Sequence, residues 1–180
     1  MILLKRIIMS SLALAILGIV AMIVLVLLEI NHWHSNYIVA VKEHIPTKIK
    51  IDKILADDYE EALPGGWCHG LAFKISNSSL LEINRQGLDF FKDISPSDAV
   101  KTKGSESYWT EWKEKTNYFT DDGAQIPSGC LTEFEKFRKK NGYVLRRDTK
   151  VYYTYVKHRG YSNISVYPEW GIVVYGSWAN

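Results

Sequence analysis

Cys68 has the most suggestive chemical setting in this chain of 180 residues: Gly65-Gly66-Trp67-Cys68-His69-Gly70. A cysteine in a glycine-rich loop can act as a nucleophile if a histidine takes its proton and a third group orients the histidine. His158 is the candidate base, because it falls at a predicted hairpin tip, with Asn163 or an acid as the orienting group. His69, adjacent in sequence, would ordinarily point elsewhere. Thiolate formation also needs an electropositive setting such as a helix N-terminus. The residues after Cys68 read instead as a strand, so the catalytic pair Cys68 and His158 is the lesser reading.

The other reading makes Cys68 a half-cystine. Cys68 and Cys130 are the only two cysteines. An even pair in an exported domain points to a bridge. A Cys68–Cys130 bridge would close a loop of about 60 residues and contribute about 4 kcal/mol by restricting the unfolded chain.

Other chemistry is thinner. The five histidines, His32, His34, His44, His69 and His158, show no metal-ligand spacing, and there is no C-x-x-C. No metal and no cofactor is expected. Asp57-Asp58, Glu60-Glu61 and Asp121-Asp122 are paired carboxylates, but without the apolar setting that would raise one pKa for acid catalysis. Asn77-Ser78-Ser79 and Asn163-Ile164-Ser165 fit a glycosylation pattern, and Asn77 reads better as helix-start chemistry. The absence of a convincing catalytic set favours binding over catalysis.

The aromatics carry more. The chain has eleven Tyr and six Trp, thickening toward the C-terminus. Tyr153 and Tyr155 share one strand face, with Tyr152 on the other. Tyr161, Trp170, Tyr175 and Trp178 follow on neighbouring strands or turns. One sheet face must pack on helices. Rings left on the opposite face would make a binding platform, since aromatics are enriched in interfaces. The competing reading is that Tyr and Trp are ordinary strand formers and part of the core.

Secondary-structure patterns supply the scaffold. Ile51, Ile54, Leu55 and Tyr59 recur at helical spacing, which predicts an amphipathic helix stopped by Pro64-Gly65-Gly66. Leu71–Ser76 alternates as a strand. Ser79 with Glu82 is a capping-box signature opening a helix through Phe91, with a break expected at Gly87. Some helix is expected around Trp109–Lys115. Cys130, Leu131, Phe134 and Phe137 share a face of a further helix, capped at Gly142. Thr149–Lys157, Tyr161–Tyr167 and Ile172–Trp178 are strands joined by Gly-bearing turns, an antiparallel meander. The expected fold is α+β, with helices packed on a small C-terminal antiparallel sheet: a three-stranded meander plus one earlier strand.

The N-terminus decides location. No charged residue stands between Arg6 and Glu29. An apolar run of about 20 residues suffices for a helix to cross about 30 Å of hydrocarbon. Lys5 and Arg6 precede the run and no Lys or Arg follows until Lys42, so the N-terminus is expected inside and the remainder outside. The run is longer than a signal-peptide core, and its one Ala-x-Ala, Ala13-Leu14-Ala15, lies within it. Trp33, between His32 and His34, suits the outer interface. Ser11, Ala15 and Gly18 form a small-residue stripe through which a structural subunit could assemble.

The expected organisation is a cytoplasmic N-terminus at 1–6, a transmembrane helix at 7–30, a juxtamembrane stalk at 31–46 and an exported domain at 47–180. The net charge of +2 leaves the exported part near neutral, without the basic field that nucleic acid binding needs. The expected protein is anchored by one span in the inner (plasma) membrane. It presents a periplasmic or extracellular domain to a protein partner, as an envelope accessory or immunity-type protein. An anchored hydrolase using Cys68 is the alternative.

Overall fold

Helix α1, Ile2–His44, forms because its sequence offers neither a proline nor a charged interruption over its apolar run. Its 43 residues extend about 65 Å at 1.5 Å per residue. Beyond the apolar run, side chains pair one turn apart. Ser35 Oγ donates to the Asn31 carbonyl at 2.8 Å, Asn36 Nδ2 lies 3.1 Å from His32 Nε2, and the Trp33 and Tyr37 rings stack at 6.0 Å. The computed structural model describes residues 2–62, 66–92, 94, 108–115, 136, 138–144, 146, 148–157 and 160–179, with backbone alone at 2–13, 58–62, 66–68, 108–109, 156–157, 160–161 and 178–179. The chain divides into two units, Met1–Lys42 and Glu43–Asn180.

The second unit is α+β. Its strands are β1 (Ile51–Ala62), β2 (Gly66–Ile75), β3 (Tyr108–Trp109), β4 (Lys113–Lys115), β5 (Val151–Lys157), β6 (Gly160–Tyr167) and β7 (Ile172–Ala179). They form one antiparallel sheet in the order β1-β2-β7-β6-β5, with β3 and β4 both pairing along the outer side of β5. The meander β5-β6-β7 stands where alternation and turns predict it. At its second corner Trp170 N–H donates to the Tyr167 carbonyl at 3.2 Å and Gly171 N–H to the Pro168 carbonyl at 3.1 Å. Gly171 takes φ 61, and a Cβ there would meet Lys74 Nζ at 2.9 Å. The first corner, His158-Arg159, lies outside the described residues.

Three expectations are corrected. Ile51–Ala62 is a strand, not an amphipathic helix. Register shifts between Ile51 and Lys53 and between Ile54 and Ala56 each insert a residue. Such bulges turn the two-residue period of a strand into three. Ile51, Ile54 and Asp57, paired with Ile75, Phe73 and Leu71, therefore share a face at a spacing that mimics a helix. Trp109–Lys115 is likewise extended, not helical. Between β3 and β4, Thr110–Trp112 stand opposite only Thr154 and Tyr155, a further bulge. It is held by Thr110 N–H donating to the Tyr155 carbonyl at 2.9 Å and Thr154 Oγ1 donating to the Thr110 carbonyl at 2.6 Å. The sheet accordingly has seven strands instead of a meander with one addition.

Helix α2, Asn77–Gln86, is capped at Ser76, whose Oγ accepts from Ser79 N–H at 3.3 Å. The cap thus lies three residues before the expected Ser79. The Ser79 hydroxyl instead latches the preceding loop, donating to the Lys48 carbonyl at 3.2 Å and accepting from Lys50 N–H at 2.9 Å. Gly87, at φ 59, ends the helix as expected, and a 3-10 turn, Gly87–Phe91, continues. Its Phe91 ring meets Tyr152 at 4.9 Å and stacks on Trp112 at 4.5 Å, so this segment packs on the Tyr152 face of the sheet. Lys136 and Arg138–Lys140 are helical. Gly142 caps them at φ 69, with Tyr143 N–H reaching the Arg138 carbonyl at 3.0 Å and Gly142 N–H the Lys139 carbonyl at 3.2 Å. That pair of bonds is a Schellman closure. Cys130, Leu131, Phe134 and Phe137 lie outside the described residues.

Candidate functional site

Directly opposed residues in an antiparallel sheet share a face, so the register sorts the chemistry. On the helix-covered face one row runs Tyr152, Val166, Val173, Phe73. All four are buried. The next row runs Thr154, Ile164, Tyr175, Leu71, Asp57, and the one after it includes Ser162, Ser177 and His69. Polarity rises along this face from an apolar middle to a hydroxyl and imidazole end.

The polar end is bonded laterally. His69, fully buried, places Nε2 2.8 Å from Asp57 Oδ1, and the Asp57 side chain is 22% exposed. Ser177 stands opposite His69 and its Oγ lies 3.0 Å from Ser162 Oγ. The Tyr175 hydroxyl donates to Ser162 Oγ at 3.2 Å, and the Tyr175 ring meets His44 edge-on at 5.7 Å. A carboxylate fixes an imidazole beside a hydroxyl chain, the groups of a general base. The imidazole is fully buried and the Asp57 side chain is 22% exposed, so the arrangement first serves to satisfy polar groups within the sheet.

The sequence favours His158 over His69 as a base for Cys68, because a neighbour of Cys68 ordinarily points away from it. Its signal is the alternation His69, Leu71, Phe73, Ile75, which puts an imidazole on a buried strand face. Its partner Asp57 is not legible, because the bulges give β1 a helix-like spacing. His158 lies outside the described residues.

Cys68 falls inside β2, paired with Trp178 and with Glu60, not in a turn and not at a helix N-terminus. No disulfide occurs among the described residues, which do not include Cys130. The proposed aromatic platform divides. Tyr153 and Tyr155 are half-buried on the face opposite α2. Trp170, 8% exposed, is folded onto that same face in a stack with Tyr167 at 4.7 Å and Tyr143 at 5.4 Å. It joins Ala72, Val151, Ile172 and Val174 in a core cluster. Tyr175 is 5% exposed and belongs to the helix-covered face, because its register partners are Leu71 and Ile164. Trp170 and Tyr175 are therefore core residues, not displayed ones. Tyr161 and Trp178 pair with each other in register.

A charged group borders the sheet at β4. Lys150 Nζ lies 3.1 Å from Glu114 Oε1 and 5.9 Å from the Tyr152 ring centre. The hydrogen bond to Glu114, then the charge on Tyr152, hold the Lys150 pKa above its ordinary value. Burial, then the Glu114 charge, push the Tyr152 phenol up. Among the described residues no cluster of His, Cys, Asp or Glu is arranged to hold a metal.

Among the described residues, one helix is long and apolar enough to cross a membrane, and its apolar window has no part buried within the protein. Neither a family model, a curated protein nor a solved structure matches the chain.

Proposed function

We propose that the chain is a single-pass membrane protein with its N-terminus in the cytoplasm, whose α+β domain binds a protein partner outside it. The observation that carries this reading is the exposed apolar length of α1: Leu14, Leu17, Met22, Leu25 and Leu27 are between 59% and 71% exposed. Such a surface is costly in water and suited to hydrocarbon. Lys5 and Arg6 before the run support the orientation. An oxidising exterior would favour the Cys68–Cys130 bridge. Tyr153 and Tyr155, half-buried on the face away from α2, support binding, and tethering raises the domain's concentration at the membrane surface. An envelope accessory or immunity-type protein has this layout. The strand setting of Cys68 weighs against the anchored hydrolase.

Crosslinking in intact membranes, followed by pull-down and mass spectrometry, tests the binding role. The expected result is one stoichiometric partner whose crosslinks map to residues 47–180. Crosslinks confined to 7–30 would instead make this a structural subunit that assembles through its span.

A further inference from the structure

The two edges of the sheet are built differently. At one edge β3 and β4 are two and three residues long and are separated by a bulge. Short, bulged edge strands resist pairing with other chains. At the other edge β1 is twelve residues long, contains no proline, and among the described residues pairs only with β2. Its bulges lie in the first half, and from Ala56 to Ala62 the ladder is unbroken. A long regular edge presents a row of backbone donors and acceptors to an incoming strand.

Charge selects the occupant. β1 carries Asp52, Asp57, Asp58, Glu60 and Glu61 against the single Lys53, in a chain whose net charge is +2. A second copy is disfavoured. Antiparallel self-pairing centred on Tyr59 would oppose Asp57 to Glu61 and Asp58 to Glu60, and directly opposed like charges destabilise a ladder. A strand bearing Lys or Arg at alternate positions gains both the backbone bonds and the cross-strand charge pairs. We infer that Ala56–Ala62 of β1 is a docking edge for an extended basic segment of a partner protein, which adds to the sheet as an eighth strand. This rests on the partner-binding reading and names its surface and the chemistry of its occupant.

The test uses the full chain in phosphatidylcholine nanodiscs, whose neutral surface does not recruit basic peptides. The probes are short peptides alternating Lys with Val, Glu with Val, and Lys with Pro. The Lys–Val peptide is expected to slow amide exchange at Ala56–Ala62 by about tenfold or more. The Glu–Val and Lys–Pro peptides are expected to leave exchange unchanged, the first for its charge and the second because it cannot form a ladder. An Asp58→Lys, Glu60→Lys variant is expected to lose the Lys–Val effect and gain one with Glu–Val. That reversal separates lost binding from lost folding. Protection by Lys–Pro equal to that by Lys–Val, protection at β3 and β4 instead, or concentration-dependent protection of β1 without peptide would each overturn the inference. So would a crosslinked partner retained in full by the charge-reversed variant, a result that leaves partner binding itself intact.

Discussion

At the scale of single residues, the pair His69–Asp57 carries the most consequence. An imidazole buried on a face otherwise occupied by Leu71, Phe73 and Ile75 is tolerated because its Nε2 has a carboxylate oxygen at 2.8 Å. His69→Ala deletes the ring, leaves a cavity and removes the hydrogen-bond partner of Asp57. It should cost about 2–4 kcal/mol. Asp57→Asn keeps an oxygen at the same place and should cost about 1 kcal/mol. Denaturant unfolding followed by tryptophan fluorescence checks the ordering; equal losses would mean that the carboxylate, not the ring's packing, dominates. The pair could not be seen in the sequence. His69 is legible as one position in an alternating strand, but the inserted residues give β1 a helix-like spacing, and read as a helix it does not stand beside β2 where Asp57 meets His69.

At the scale of elements, legibility followed local chemistry. The meander was readable because its strands alternate cleanly and its second turn needs Gly171 at φ 61. The break of α2 at Gly87 and the cap at Gly142 were readable because a positive φ is what glycine supplies cheaply. β1 reads as helix because bulges replace the period of two with one near three, whereas Trp109–Lys115 has weak periodicity and reads as helix only because a long loop without regular structure is uncommon in a compact domain. The start of α2 is ambiguous in the sequence because two serines compete for it. Ser76 caps the helix, while Ser79 ties α2 to Lys48 and Lys50. Ser79→Ala should therefore leave the cap intact yet strip a partner from each of two backbone groups, costing about 1–3 kcal/mol. Ser76→Ala should cost about 1 kcal/mol through the cap alone. Hydrogen exchange separates them. The Ser79 variant should speed exchange at Lys50 and the Ser76 variant at Ser79; the reverse pattern would contradict these roles.

At the scale of the molecule, one apolar helix and one α+β unit imply a division of labour. On the proposed function α1 serves attachment, because hydrocarbon is the solvent its exposed Leu, Ile and Val suit. On the proposed function the sheet serves recognition, with polar groups bonded inward at one end and a long edge strand that, among the described residues, pairs only with β2. The central claim is that the helix stays in the bilayer and holds the domain on the far side. Protease digestion of intact and of permeabilised cells, read by mass spectrometry after alkaline extraction of the membranes, tests it most directly. The predicted result is a carbonate-resistant chain that retains residues 7–30 and in which 47–180 is cut only from the outer side. A mature chain lacking 7–30, or a domain cut only after the cytoplasm is opened, would contradict it.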